Sequence, residues 1–387
     1  MTKIYTTRGS GLRARKQPST DAAIVGMFPA GAALAVDHNE TVGEDIWHAL
    51  PVTAGGVDLR DPSDLGAPAF LFAAHRYRGT DYTDAPADPL PAASRTYPAW
   101  GLNFPNGNLH LVEPAWQGGA RAFVVIDDFL FATQLSQRKG AFVVARRGDP
   151  QPYLTGGLNE DVTRMVQWLE GAAGGPTMHY VGLNEGDRYG FSVEEIRYRA
   201  RFDVAMAHRV REISGATWIA LSAAMGCPEY NNPEICRVMR EGYADAYNAG
   251  LLMMDIHDYE RNPEDIDKPL SDRQWYSARH LFLFGQGPDR CGFDPRVKGI
   301  VHCESGVDGG GGGRQQGGFW QFGMKGPQVV AFHRSAYRNA GAPIFVDGQW
   351  YESPVVAGMY FQCGSDQWQG FEMRWYLVDF AGNWTPE

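Results

Sequence analysis

The chain has 387 residues, of which 44% are hydrophobic and 12% aromatic, and it carries a formal net charge of -10. That length exceeds one small domain and suits a barrel with an appendage, and the hydrophobic share permits a large core. Nothing concentrates Lys or Arg into a phosphate-facing stripe, which excludes a nucleic-acid partner, and no apolar run is long enough to span a membrane.

Met1-Thr2-Lys3-Ile4-Tyr5 lacks the apolar core of a secretory signal, so the expectation is a protein that stays inside the cell or leaves by lysis or another route. Residues 1–77 read as short strands broken by turns. The strands are Gly11-Leu12-Arg13-Ala14-Arg15, Ile24-Val25-Gly26, Leu34-Ala35-Val36, Ile46-Trp47-His48-Ala49-Leu50 and Ala69-Phe70-Leu71-Phe72, with turns at Pro18-Ser19-Thr20 and Pro29-Ala30-Gly31. This pattern resembles the bacterial SH3-like module, which implies a small all-β barrel. In other proteins such modules contact cell-wall material; here packing against a catalytic domain is the alternative. Residues 78–96, with Pro86, Pro89 and Pro91 and no apolar periodicity, read as a semi-rigid linker.

From residue 97 to 387 the pattern becomes strand, loop, helix, repeated. The expected strands are 99–104, 122–127, 141–146, 180–184, 217–222, 251–256, 299–303 and 356–361, and expected helices include 159–169, 193–213 and 271–284. Near-continuous apolar runs with polar ends fit strands buried on both faces. Eight such units predict an α/β fold, a (β/α)8 TIM barrel, whose sites form at the C-terminal strand ends. No glycine-rich phosphate fingerprint follows the first strand, which counts against a dinucleotide fold.

Two of those strand ends carry glutamates: Asn184-Glu185 after the fourth and Glu304 after the seventh. Paired carboxylates on separate strands are what double-displacement glycoside hydrolysis needs, one protonating the leaving oxygen and one attacking the anomeric carbon. The proton donor needs a pKa raised by burial or by its neighbour, while the nucleophile needs a cation or donor beside it. Arg146, at the end of strand three, and His257 and Tyr259, just past strand six, are the candidates for the second task. Asn103, Asp127, Asp128 and Ser222, also at strand ends, are in reach of sugar hydroxyls, although an acidic pair there commonly caps a helix or meets an arginine. Asp187 could bind substrate or pair with Arg188, and Trp368, after strand eight, is either a stacking platform or core.

In order and spacing of these residues the region resembles the clan of retaining glycosidases built on (β/α)8 barrels. The resemblance implies Glu185 as acid/base, Glu304 as nucleophile, Asn184 on the sugar 2-hydroxyl and Tyr259 as a donor to the nucleophile. It also implies an oligo- or polysaccharide substrate and no metal or organic cofactor. Two alternatives stay open: a cell-wall lysin whose SH3-like module holds peptidoglycan, and a noncatalytic carbohydrate-binding barrel.

Gly309 to Gly313 follow Glu304 closely and suggest a mobile flap or close backbone approach to ligand, over which the segment Phe319-Trp320-Gln321-Phe322 could close. The cysteines are Cys227, Cys236, Cys291, Cys303 and Cys363, without any CxxC spacing that would suggest zinc. Cys227 and Cys236 flank one loop and would be the pair to join in an oxidising compartment. Cys303 reads as a small core residue rather than a nucleophile.

Overall fold

In the computed structural model of the chain, the described residues are 98–104, 109–148, 154–169, 178–185, 192–224, 232–268, 277–308, 318–361, 363 and 371–384, with the backbone of short strands before them. The chain divides into two compact units, Met1–Ser94 with Phe345–Tyr351, and Arg95–Ile344 with Glu352–Glu387.

The second unit is an eight-stranded parallel barrel: β1 (Ala99–Phe104), β2 (Ala122–Ile126), β3 (Phe142–Arg146), β4 (Met178–Val181), β5 (Thr217–Ala223), β6 (Leu252–Ile256), β7 (Ile300–Val307) and β8 (Val355–Tyr360). Each strand pairs in parallel with its sequence neighbour, and β1 with β8 closes the ring. Alternate side chains point inward: Ala122, Val124, Ile126, Val144, Val181, Ile219, Val301, Cys303, Ala357 and Met359 form one buried cluster. The interior is therefore packed core, and chemistry is confined to the strand ends. Cys303 belongs to this cluster, and burial pushes its thiol well above the usual range, as suits a core residue.

Between the strands lie helices, three of which, α2, α4 and α5, start at side-chain caps. They are α1 (Val112–Gly118), α2 (Phe129–Ser136), α3 (Leu158–Trp168), α4 (Val193–Ser214), α5 (Pro233–Met239) and α6 (Gly326–Ala340). Asp128 caps α2 by accepting from the Phe131 amide at 2.8 Å, so one member of the acidic pair after β2 serves as a cap. Ser192 and Glu195 form a capping box at α4, which ends at Gly215 in a left-handed conformation with φ 73°. Asn232 and Pro233 start α5 in the same spirit.

Several expected boundaries move. Strand four ends at Val181 instead of Asn184, and strand seven runs on to Val307, so Glu304 lies inside a strand and not at its end. The helix expected over 271–284 is replaced, in its described part, by the 3-10 turn Arg279–Leu283. Ala278 precedes that turn with φ 52° and Gly285 follows with φ 91°, conformations an α-helix cannot absorb. Phe319 is 2% exposed and packs edge-on against Phe332, Tyr360 and Tyr376, so it belongs to the core and does not close over a ligand. Cys236 is a free buried thiol hydrogen-bonded to Cys291, and Cys227 lies outside the described residues.

The N-terminal unit contains antiparallel strand pairs, among them Leu12–Arg15 with Ile24–Phe28 and Asp45–Pro51 with Phe70–Tyr77. Thr80–Asp81 continues the pairing past residue 77, inside the segment expected to be linker. No described helix is long and apolar enough to cross a membrane.

Candidate active site

Two bulges set the site. Between the partners His302↔Gly358 and Ser305↔Tyr360, β7 places Cys303 and Glu304 opposite Met359 alone. This breaks the alternation, so Cys303 stays in the interior cluster while the next residue, Glu304, also turns inward at the barrel mouth. On β5, Ser222 is the extra residue between Leu221↔Asp255 and Ala223↔Ile256. Leu221 and Ser222 there take φ of 73° and 46°. Across from them Glu185 has φ 47°, and its amide donates to the Ser222 carbonyl at 3.0 Å. Non-glycine residues in left-handed conformations cost energy, and here they gather around one carboxylate.

Glu304 is 5% exposed and receives three groups. Arg146 Nη1 lies 3.3 Å from Oε1, Tyr259 Oη donates to Oε2 at 3.2 Å, and His257 Nδ1 lies 3.6 Å from Oε2. The same Nδ1 lies 3.3 Å from Glu185 Oε1, so the imidazole stands between the two glutamates. That contact is an ion pair, since Nδ1 makes no aligned hydrogen bond. Behind the ring, Nε2 is 3.6 Å from Asp255 Oδ2. Ser222 Oγ lies 2.7 Å from Asp255 Oδ2 and 3.2 Å from Asn184 Oδ1. A hydroxyl has one proton, and the shorter contact gives it to the Asp255 carboxylate.

The charges follow from this packing. For Glu304, burial is the largest influence and raises its pKa from 4.5; Glu185 and Asp255 push the same way, while His257 and Arg146 oppose them. For His257, burial alone would lower the pKa, but Glu304, Asp255 and Glu185 together raise it well above 6.5. Burial works to raise Asp255 too, but His257, the Cys303 amide and Ser222 hold it below its usual range. Burial and Glu304 raise Tyr259 well above 10, so its phenol keeps the proton it donates.

One oxygen of Glu185, one of Glu304 and a ring nitrogen of His257 lie within 4.8 Å of one another, a grouping that could hold a metal ion. Ligation would require the neutral imidazole.

The structure thus brings together Glu185, Glu304, Arg146, His257, Tyr259 and Asn184. Asn103 is fully buried below them, its Nδ2 3.5 Å from the Cys303 carbonyl and its Oδ1 without a hydrogen-bond partner. Asp127 turns away and accepts from the Gly148 amide at 2.9 Å. Trp368, Asp187, Arg188 and Gly309 to Gly317 lie outside the described residues. Sequence reasoning missed Arg199 and Asp203 on α4, which bond the ends of β4 and β5. A signal existed: both fall three and seven positions after Ile196, on the stripe of α4 that otherwise buries Ala200, Met206 and Val210.

No protein-family model and no curated protein matches the sequence. Similar solved structures include a GH5-4 broad-specificity endoglucanase from an uncultured bacterium, 9% identical, covering 72% of this chain and 84% of that one at TM-score 0.41. A Bacteroides ovatus GH5 xyloglucanase in complex with an XXXG heptasaccharide is 8% identical over 99% of this chain and 96% of that one, at TM-score 0.39. A calcium-binding mutant of Bacteroides uniformis beta-glucuronidase 2 is 10% identical, at TM-score 0.40, over 93% of this chain and 45% of that one.

Proposed function

We propose that this chain is a retaining β-glycoside hydrolase in which Glu304 attacks the anomeric carbon and Glu185 is the acid/base. The observation that carries this reading is the closeness of the two groups: one oxygen of Glu185 and one of Glu304 lie within 4.8 Å, an upper bound for that pair of atoms that favours the shorter of the two carboxyl spacings. Carboxyls about 5 Å apart suit direct attack, whereas inverting enzymes leave about 6.5–9.5 Å for a water.

The division of roles follows the surroundings. Burial and the neighbouring carboxylates raise Glu304, but Arg146, His257 and the Tyr259 hydroxyl face it directly and favour its ionised form. Glu185 is more open, its side chain 29% exposed, where a leaving group and then a water can approach it. In the first step the Glu304 carboxylate forms an ester to the anomeric carbon, the glycosidic bond breaks, and the Glu185 proton goes to the departing oxygen. In the second, Glu185 takes a proton from water, which displaces the sugar from Glu304. We assign Asn184 and Asn103 to sugar hydroxyls; Asn103 is fully buried, and its unpaired Oδ1 is the observation that supports its part. Trp368 remains the proposed stacking platform, and no metal takes part in either step. We read the N-terminal unit as an SH3-like barrel, residues 1–77, joined through 78–96 to the catalytic barrel at 97–387, with cell-wall contact as its possible use.

The test is a screen of aryl β-glycosides, followed by proton NMR of the first-formed anomer and by Glu304→Ala. Retention of configuration and a loss of about 10⁴-fold or more in the variant are expected, on the scale of removing a covalent catalyst. Full activity in Glu304→Ala on every accepted glycoside, or inversion, overturns the reading.

A further inference from the structure

Arg199 and Asp203 form a buried pair on α4, 2% and 0% exposed, at the layer between that helix and the barrel wall. Their hydrogen bonds converge on two strand ends. Arg199 Nη2 donates to the Leu183 carbonyl at 3.3 Å and to the Leu221 carbonyl at 3.1 Å. Arg199 Nε donates to Asp203 Oδ2 at 2.9 Å, and the same oxygen accepts the Leu221 amide at 3.1 Å and the Tyr243 hydroxyl at 2.8 Å. Asp203 Oδ1 accepts Trp218 Nε1 at 3.0 Å. Both backbone groups of Leu221 are therefore held by one ion pair.

That grip matters because Leu221 sits at φ 73°, a conformation a leucine does not keep without external support. Fixing it turns the next residue, Ser222, inward, and the Ser222 carbonyl holds the Glu185 amide. On the other side the Leu183 carbonyl lies two residues before Glu185. Trp218, locked by Asp203, packs so closely on Gly182 that any Cβ there would stand 2.3 Å from its ring. The backbone on both sides of Glu185 is thus tied to the same pair.

We infer that Arg199 and Asp203 are positioning residues, which set the left-handed backbone at Glu185 and so the direction in which its carboxyl delivers a proton. This rests on the reading of Glu185 as acid/base given above. A guanidinium is needed: it bonds Asp203 through Nε and two carbonyls through Nη2, whereas a lysine ammonium is a single point. Neither residue touches substrate.

The experiment is Arg199→Lys, compared with wild type and with Glu185→Gln, on two aryl glycosides of the sugar that the wild type accepts, one with a 2,4-dinitrophenyl and one with a 4-methylphenyl leaving group. Proton donation matters for the poor leaving group and little for the good one. A misplaced donor should therefore lower kcat/KM by about 10- to 100-fold on the 4-methylphenyl glycoside and by less than about 3-fold on the 2,4-dinitrophenyl one. Glu185→Gln should show the same selectivity, more strongly. If Arg199→Lys matches wild type, or loses equally on both substrates, the inference is overturned while the reading of Glu185 stands. If Glu185→Gln shows no such selectivity, the reading of Glu185 fails and the inference with it. Should Arg199→Lys not fold, Tyr243→Phe, which removes one bond to Asp203, carries the same contrast at about 2- to 5-fold.

Discussion

Asp203→Ala should be among the most destabilising single changes in the barrel. The aspartate is fully buried and accepts four hydrogen bonds, from Arg199, Trp218, the Leu221 amide and Tyr243. Truncation removes the carboxylate that faces a buried guanidinium, and breaking such a pair costs about 3–5 kcal/mol. It also removes the acceptor that a backbone amide, an indole and a phenol share, each such loss worth about 1–3 kcal/mol, although neighbours in one network do not add. A loss of about 4–6 kcal/mol is expected, a large part of the roughly 5–15 kcal/mol that holds a domain folded. Glu194→Ala, nine residues earlier on the same helix, is the control. Its partner Arg197 lies at 3.1 Å, but the two side chains are 80% and 45% exposed, and such a pair contributes only about 0.5 kcal/mol. Urea unfolding followed by circular dichroism measures both. An Asp203→Ala loss below about 1.5 kcal/mol would mean that the network is not what holds these strand ends.

Three further outcomes follow from the site. Because burial raises Glu304 above the ordinary 4.5 and the carboxylate is the form that attacks, activity should fall on the acid side at a higher pH than an exposed glutamate would give; a kcat/KM profile flat down to the ordinary carboxylate range contradicts this. Tyr259→Phe removes the 3.2 Å bond to Glu304, so kcat should drop by about 10- to 100-fold and the acid limb should move upward, since the ionised form loses a donor; a downward move would refute the assignment. Gly182→Ala places a Cβ 2.3 Å from the Trp218 ring, which Asp203 prevents from yielding, and should cost about 1–3 kcal/mol by thermal or urea unfolding; an unchanged midpoint would show that the strand can shift.

The barrel was legible because strands buried on both faces leave a simple trace: apolar runs such as Phe123-Val124-Val125 and Val143-Val144-Ala145, each fully buried, recur between helical segments. The cluster around Glu304 was legible in part for the same reason, since polar residues interrupting such runs have few other uses. Irregular backbone was not. Nothing in Cys303-Glu304-Ser305 announces that β7 continues to Val307 through a bulge, and no alternation rule predicts a left-handed Leu221. Those conformations are imposed by distant partners, Arg199 and Asp203 in the second case, which a local pattern does not encode. The Asp347-Gly348 turn, with φ of 48° and 83°, joins the hairpin Ile344–Val346 and Gln349–Tyr351 and was readable in principle, since both residues favour positive φ. Proline is acceptable in the first turn of a helix, and α6 begins at Gly326-Pro327.

The measurement that bears most directly on the site is peptide mass analysis after incubation with a 2-deoxy-2-fluoro glycosyl fluoride of the accepted sugar. Double displacement predicts a covalent glycosyl ester on Glu304, absent from Glu304→Ala. An adduct on another residue, or turnover of the parent glycosides with no adduct at all, would contradict the assignment of Glu304 as nucleophile.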